Sequence, residues 1–240
     1  MAKPRTPRQS KPVFQWETIG ERQAEMKRLI DERDIIIAIG PAGTGKTLVS
    51  TFTGLNYLDE GRVDGIVVTR PLVEVDEKIG TLPGGLDAKV EPHLATIDEF
   101  LKEHPRYQIL TYRHDEHDEE KPLHRELETV PLGLMRGRTF NNRYIIADEA
   151  QNMTKRQMEM LMTRLGKGSK LIITGDPNQC DLQRPELNGL SHAIRLFEGH
   201  ARIAIIRFTL ADVQRHDLVA EVITAYESDR AEIIKAKVTK

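Results

Sequence analysis

An α/β fold, a parallel sheet flanked by helices, is what the sequence predicts, and three observations predict it. Short apolar runs recur along the chain: Ile35 to Ile39, Gly65 to Thr69, Tyr144 to Ala147, Leu171 to Thr174 and Arg202 to Phe208. Segments of helical periodicity separate them, and runs apolar at nearly every position suit strands covered on both faces. The first run also breaks directly into Gly40-Pro41-Ala42-Gly43-Thr44-Gly45-Lys46-Thr47. That spacing wraps backbone N–H groups around phosphate oxygens at the start of a helix.

The helices expected between these runs cover Glu17 to Arg33, Lys46 to Asp59, Glu91 to Glu103, Thr154 to Leu165, Glu186 to Glu198 and Asp212 to Glu227, each mixing apolar and charged positions. Gly80-Thr81-Leu82-Pro83-Gly84-Gly85 reads as a loop, and His114-Asp115-Glu116-His117-Asp118-Glu119-Glu120 as a charged surface turn. That turn holds two histidines among carboxylates, but no further ligand cluster at metal-binding spacing accompanies it, so it reads as a solvated tip. Residues 1–13 carry Lys3, Arg5, Arg8 and Lys11 with three prolines and no acid, and are expected to form a disordered basic arm. Residues 14–240 are expected to form a single domain, large enough to bury a full core.

Composition narrows the function classes. Lys and Arg number 35 against 37 Asp and Glu, a net charge of −2, so any nucleic-acid surface must be a local patch. Cys180 is the single cysteine, which excludes an intramolecular disulfide framework. No run approaches the roughly 18 apolar residues of a membrane span, and the first residues lack the apolar core of a signal peptide. A cytoplasmic protein without a membrane partner is the expectation.

The loop after the first strand carries most of the chemistry. Gly40, Gly43 and Gly45 permit a tight turn, Pro41, Ala42 and Thr44 complete the cradle, Lys46 supplies charge, and Thr47 offers a hydroxyl to Mg²⁺. A nucleoside triphosphate is the ligand this P-loop implies. A second strand, Tyr144 to Ala147, ends in Asp148-Glu149, where a parallel sheet presents side chains to its ligand edge. Asp148 suits the metal, and Glu149 suits polarising the water that attacks the γ-phosphate. A capping pair for the helix at Thr154 would account for one acid, not for both. A third run, Leu171 to Thr174, ends in Gly175-Asp176-Pro177-Asn178-Gln179, which brings Asp176 and Gln179 to the same edge. The Gln179 amide can hydrogen-bond a phosphate oxygen and the attacking water together.

In order along the chain, these segments resemble the PhoH family, phosphate-starvation-type ATPases related to superfamily 1 helicases, from about Ile19 to Tyr226. The likeness rests on Gly40 to Thr47, Thr69-Arg70-Pro71, Glu77 to Gly84, Pro131 to Thr139 and Asp148-Glu149-Ala150-Gln151-Asn152. It continues through Thr163 to Gly166, Ser169-Lys170, Thr174 to Asp176, Gln179 with Asp181-Leu182, and Asp212-Val213-Gln214-Arg215-His216 with Leu218-Val219.

The resemblance implies a P-loop NTPase with a RecA-like core, ATP and Mg²⁺ as cofactors, and work on RNA or single-stranded nucleic acid. Helicase-like ATPases read the adenine edge with a glutamine at the place of Gln23, which makes ATP the expected nucleotide. By matched position, Arg70 lies near nucleic acid or its coupling loop, Arg136 and Arg138 border the ATP site or a subunit contact, and Arg215 is the candidate arginine finger. A surface ion pair is the plain alternative for each arginine. One P-loop and one Asp-Glu motif leave no room for a second core, so a finger would come from a neighbouring subunit of a homo-oligomer, a ring or hexamer. The chain departs from the family pattern at Pro177-Asn178 and Ala147, and shows neither a nuclease-type carboxylate cluster nor an appended KH-like module. Three function classes remain: an ATP-driven strand motor, a nucleotide-dependent protein-interaction switch, and a P-loop kinase.

Overall fold

The computed structural model describes residues 16–71, 127–182, 184, 188–214, 218, 221–222 and 225–226. The basic arm, the loop from Gly80, the charged turn from His114, the helix expected over Glu91 to Glu103, and Arg215 lie outside the described residues. So does much of the helix expected from Asp212.

The chain enters helix α1 (Glu21–Glu32) and passes to strand β1 (Ile35–Ile39), helix α2 (Lys46–Asp59) and strand β2 (Gly65–Thr69). It resumes with strand β3 (Leu127–Thr129), strand β4 (Arg143–Ala147), helix α3 (Lys155–Met162), strand β5 (Lys170–Gly175), helix α4 (Gly189–Phe197) and strand β6 (Ile203–Arg207). Among the described residues the strand pairings are all parallel, in the order β3-β2-β4-β5-β1-β6.

The expected parallel sheet is therefore present, and alternation along each strand splits the core between its faces. Ile36 and Ala38 of β1, Val68 of β2, Ile146 of β4 and Ile172 of β5 pack with Met26 and Ile30 of α1 and Val49, Phe52, Leu55 and Leu58 of α2. Ile35, Ile37 and Ile39, with Val67, Ile145, Ala147, Leu171 and Ile173, pack with Met158 and Leu161 of α3 and Leu190 and Ala193 of α4. Among the described residues helices cover both faces, which explains why β1, β2 and β5 read as continuous apolar runs.

Element ends follow local chemistry. Helix α1 starts at Glu21 rather than Glu17, because Gly20 caps it at φ 85° and ψ 165°, a conformation open essentially to glycine alone. Its far end has no basic residue in the last turn; Lys170 supplies one from β5, donating to the Asp31 and Arg33 carbonyls at 3.1 and 2.6 Å. Burial lowers the pKa of that ammonium. Helix α3 begins at Lys155 under a capping box in which Thr154 and Gln157 exchange hydrogen bonds. Helix α4 begins at Gly189, where the Asn188 side chain accepts from Ser191 N–H at 2.8 Å. Strand β3 is unexpected: Leu-Glu-Thr carries no apolar run, and pairing with β2 makes it a strand.

Gly54 sits inside α2, where glycine costs roughly 1 kcal/mol against alanine. A Cβ there would lie 2.7 Å from Cδ1 of Tyr144, whose fully buried ring is held in the sheet. Gly54→Ala is therefore expected to destabilise the fold, the helix-propensity gain being outweighed by overpacking of about 1–3 kcal/mol. A raised urea midpoint for this variant would contradict the packing account.

Candidate functional site

The register of the sheet decides which side chains meet. β5 lies between β1 and β4, with Ile39 opposite Gly175 and Ala147 opposite Ile173. The next residues out along these strands, Gly40, Asp148 and Thr174 to Asp176, consequently share the sheet's C-terminal edge. Gly40 N–H donates to Gly175 O at 3.2 Å, and a Cβ on Gly40 would fall 2.3 Å from Phe208 O. The loop is thus packed between the edge of β5 and the segment after β6.

Gly45 closes the loop in the left-handed region (φ 83°, ψ 13°) and caps α2, so the helix's first N–H groups face the loop. Lys46 is 8% exposed and turns its ammonium into the loop, donating to Gly40 O at 2.7 Å, Pro41 O at 2.6 Å and Thr44 Oγ1 at 3.1 Å. Thr44 in turn donates to Pro41 O at 2.9 Å. The loop therefore concentrates one buried cation and several backbone donors, the chemistry of an anion cradle.

Gln23 braces this loop from α1. The 4%-exposed amide accepts from Ile19 N–H at 2.9 Å and donates to Thr44 O at 3.2 Å. A Cβ on Gly45 would stand 2.3 Å from its Nε2. On the other side, Gln214 N–H donates to Gly43 O at 2.9 Å.

Asp148, 6% exposed, faces the loop. Its Oδ1 accepts from Thr47 Oγ1 at 3.2 Å and, by a short bond, from Thr174 Oγ1. Neither acid caps α3, since Thr154 does that, and Glu149 makes no side-chain cap to the turn Ala150–Asn152. Thr47 and Asp148 place a hydroxyl and a carboxylate at the mouth of the cradle. That oxygen pair fits Mg²⁺, a hard cation that Thr47 and Asp148 would hold there. Among the described residues no group of three or more His, Cys, Asp or Glu is arranged to hold a metal ion.

Glu149 lies one residue further out with its backbone left-handed at φ 54°, as only Asn142 does among the other described non-glycine residues. Arg70, directly after β2, brings Nη2 to 3.2 Å from Glu149 Oε1, and Gln151 Nε2 donates to Oε2 at 2.5 Å. The Gln151 carbonyl oxygen Oε1 accepts from Asp176 N–H at 3.1 Å. Asp176 holds its own turn, accepting from Asn178 N–H at 3.0 Å and Gln179 Nε2 at 2.7 Å. Asn152 and Asp181 exchange two hydrogen bonds of 3.1 and 2.8 Å, pinning the same turn to the segment after β4. Glu149, Gln151, Asn178, Gln179, Cys180 and Asp181 line a polar cleft of about 340 Å³.

The structure thus brings together Gln23, Gly40 to Thr47, Arg70, Asp148, Glu149 and Gln179. Arg136 and Arg138 are exposed in the segment between β3 and β4, and the Arg138 carbonyl accepts from Arg164 at the end of α3. Arg138 pairs with Glu128 at 2.8 and 3.0 Å and lies over Phe140. Thr174, Gln151 and Asn152 carry no site role in the sequence reading. Their signal is polarity at positions a buried strand end or the turn after it would otherwise fill with apolar residues.

A model of the PhoH-like protein family matches residues 16–227. The chain belongs to the PhoH family. It is similar to the PhoH-like protein of Bacillus subtilis (strain 168), 42% identical over 88% of this chain and 63% of the relative, and to Protein PhoH of Escherichia coli (strain K12), 37% identical over 86% and 56%. The chain spans about 60% of the length of the curated relatives it matches. Among solved structures, the large terminase of a thermophilic bacteriophage in complex with ADP aligns with 85% of this chain and 48% of its own, at 14% identity and a TM-score of 0.46. Among the described residues no helix is long and apolar enough to cross a membrane.

Gly45→Ala tests the Gln23 brace. The left-handed backbone alone costs an alanine about 1–2 kcal/mol. Gly61, at φ 70° with nothing within 4 Å of an added Cβ, is the control for that cost. Denaturant unfolding is expected to show a larger loss for Gly45→Ala than for Gly61→Ala, and equal losses would contradict a packed Gln23.

Proposed function

We propose that this chain is a Mg²⁺-dependent ATPase that works on RNA or another single-stranded nucleic acid, as a homo-oligomer of ring or hexamer type. The observation that carries the reading is the Asp148 carboxylate, shared by the hydroxyls of Thr47 and Thr174 at the mouth of the Lys46 loop.

In this reading the N–H groups of Gly43 to Thr47 take the phosphate oxygens, and Lys46 exchanges the Gly40 and Pro41 carbonyls for β- and γ-phosphate oxygens. Thr47 and Asp148 would hold Mg²⁺, which would offset the charge on those oxygens. Glu149 accepts a proton from the water that adds to the γ-phosphorus as the bond to the bridging oxygen breaks, leaving ADP and phosphate. Gln179, whose amide is exposed beside Asp176, swings to hydrogen-bond the γ-phosphate, so its turn responds when that group leaves. The remaining Gln23 N–H and lone pair would read the adenine edge. Arg70 lies near the strand, Arg136 and Arg138 serve a subunit contact, and Arg215 acts as a finger on a neighbour's γ-phosphate.

The family and the loop geometry support the ATPase; the strand and the oligomer rest on the family alone. Steady-state ATP hydrolysis, with and without single-stranded RNA or DNA, tests both parts. Lys46→Ala and Glu149→Gln are expected to lower turnover by about 10²-fold or more, the scale of a lost general base. Stimulation by a strand is expected in the unaltered chain. Turnover that needs both residues and ignores every strand would favour a protein-interaction switch instead.

A further inference from the structure

The position of Arg70 follows from strand register. Thr69 pairs with Ala147 across β2 and β4, and Asp148 N–H donates to Thr69 O at 3.0 Å, so Arg70 is set beside Asp148-Glu149 whatever its side chain does. From there the guanidinium reaches Glu149 Oε1, while Gln151 holds Oε2. Both carboxylate oxygens of the acid assigned above as proton acceptor are thus engaged by donors.

The two arms of this clamp differ. Gln151 is 2% exposed, its amide oxygen is committed to Asp176 N–H, and its backbone carbonyl accepts from Asn188 Nδ2 at 2.9 Å. That arm is fixed to the β5 turn. The Arg70 arm faces outward, its side chain 26% accessible against 37% for Glu149. Ion pairs between partly exposed side chains are weak and exchange readily. Glu149 is also held at a left-handed backbone, a conformation that persists in a non-glycine residue where its surroundings over-determine it.

We propose that Arg70 is a positioning residue that restrains Glu149, and that the phosphodiester backbone of a bound strand releases the restraint by drawing the guanidinium away. Phosphate oxygens accept a guanidinium through two parallel hydrogen bonds, and a polyanion adds the gain from counterion release. Glu149, with Oε2 already held by Gln151, offers the guanidinium one oxygen and no counterion release. With Arg70 engaged elsewhere, Glu149 keeps its Gln151 tie and is free to turn toward water at the phosphate. Strand binding is thereby converted into faster hydrolysis through a single side chain. The inference rests on the ATPase reading above.

The test compares the unaltered chain with Arg70→Gln, Arg70→Ala and Arg70→Lys in ATP hydrolysis, with and without a single-stranded oligoribonucleotide, separating kcat from KM. Arg70→Gln and Arg70→Ala are expected to raise strand-free kcat about three- to fivefold, the factor such an ion pair corresponds to, with KM unchanged. The oligonucleotide should then add little, and Arg70→Lys should restore part of both behaviours. Strand-free kcat that is unchanged or lower in Arg70→Gln would overturn the proposal, as would full stimulation on top of a raised basal rate. If Arg70→Ala unfolds, Arg70→Gln decides, since it keeps most of the side-chain volume. Turnover insensitive to Lys46→Ala in the unaltered background would instead refute the ATPase itself.

Discussion

Asp148 is a carboxylate buried at the end of a central strand, and the whole edge of the sheet is arranged to keep it hydrogen-bonded. A buried ionised carboxylate is tolerated only where donors replace its water. Here Thr47 reaches it from the start of α2 and Thr174 from the end of β5, so one oxygen ties three separately folded segments together. β5 is what makes this geometry available. Inserted between β1 and β4, it spaces the phosphate-type loop from the acid and contributes its own hydroxyl to bridge the gap. The helices on both faces then hold the strands in register, and register aims these side chains.

Around that centre the site is held with unequal firmness. The loop is braced on one side by Gln23 and Phe208, and on the other by the Gly40 to Gly175 hydrogen bond. The turn after β5 is pinned through Gln151, itself held by Asn188, and through the Asn152–Asp181 pair. The side chains that remain accessible, Arg70, Glu149 and Gln179, are those a reaction cycle would need to move. A fixed cradle beside a few movable polar groups is the arrangement expected where binding is pre-organised and signalling is local.

Much of this was legible in the residues. β1, α2 and β2 match their expected bounds because an unbroken apolar run and a Gly-Lys-Thr start are local signals. The Asp148-Glu149 pair was legible for the same reason, an apolar strand stopping at acids. β3 was not, because a three-residue edge strand is created by its neighbour rather than by its own pattern. The roles of Thr174 and Gln151 depend on which strands are adjacent, and adjacency is a property of topology that no run of residues encodes locally. Gln23 illustrates the limit from the other side: its position is readable, but its hydrogen bond to Thr44 arises only once α1 packs beside the loop.

The most direct test of the Asp148-centred site is nucleotide binding measured by calorimetry with and without Mg²⁺, for the unaltered chain and for Asp148→Asn. Asparagine keeps the size of the side chain and an acceptor for the two threonine hydroxyls but removes the charge that would hold a cation. If the site works as argued, Mg²⁺ strengthens ATP binding in the unaltered chain and that gain is largely lost in the variant. An equal Mg²⁺-dependent gain in both would show that the carboxylate at the centre of this edge does not serve the metal.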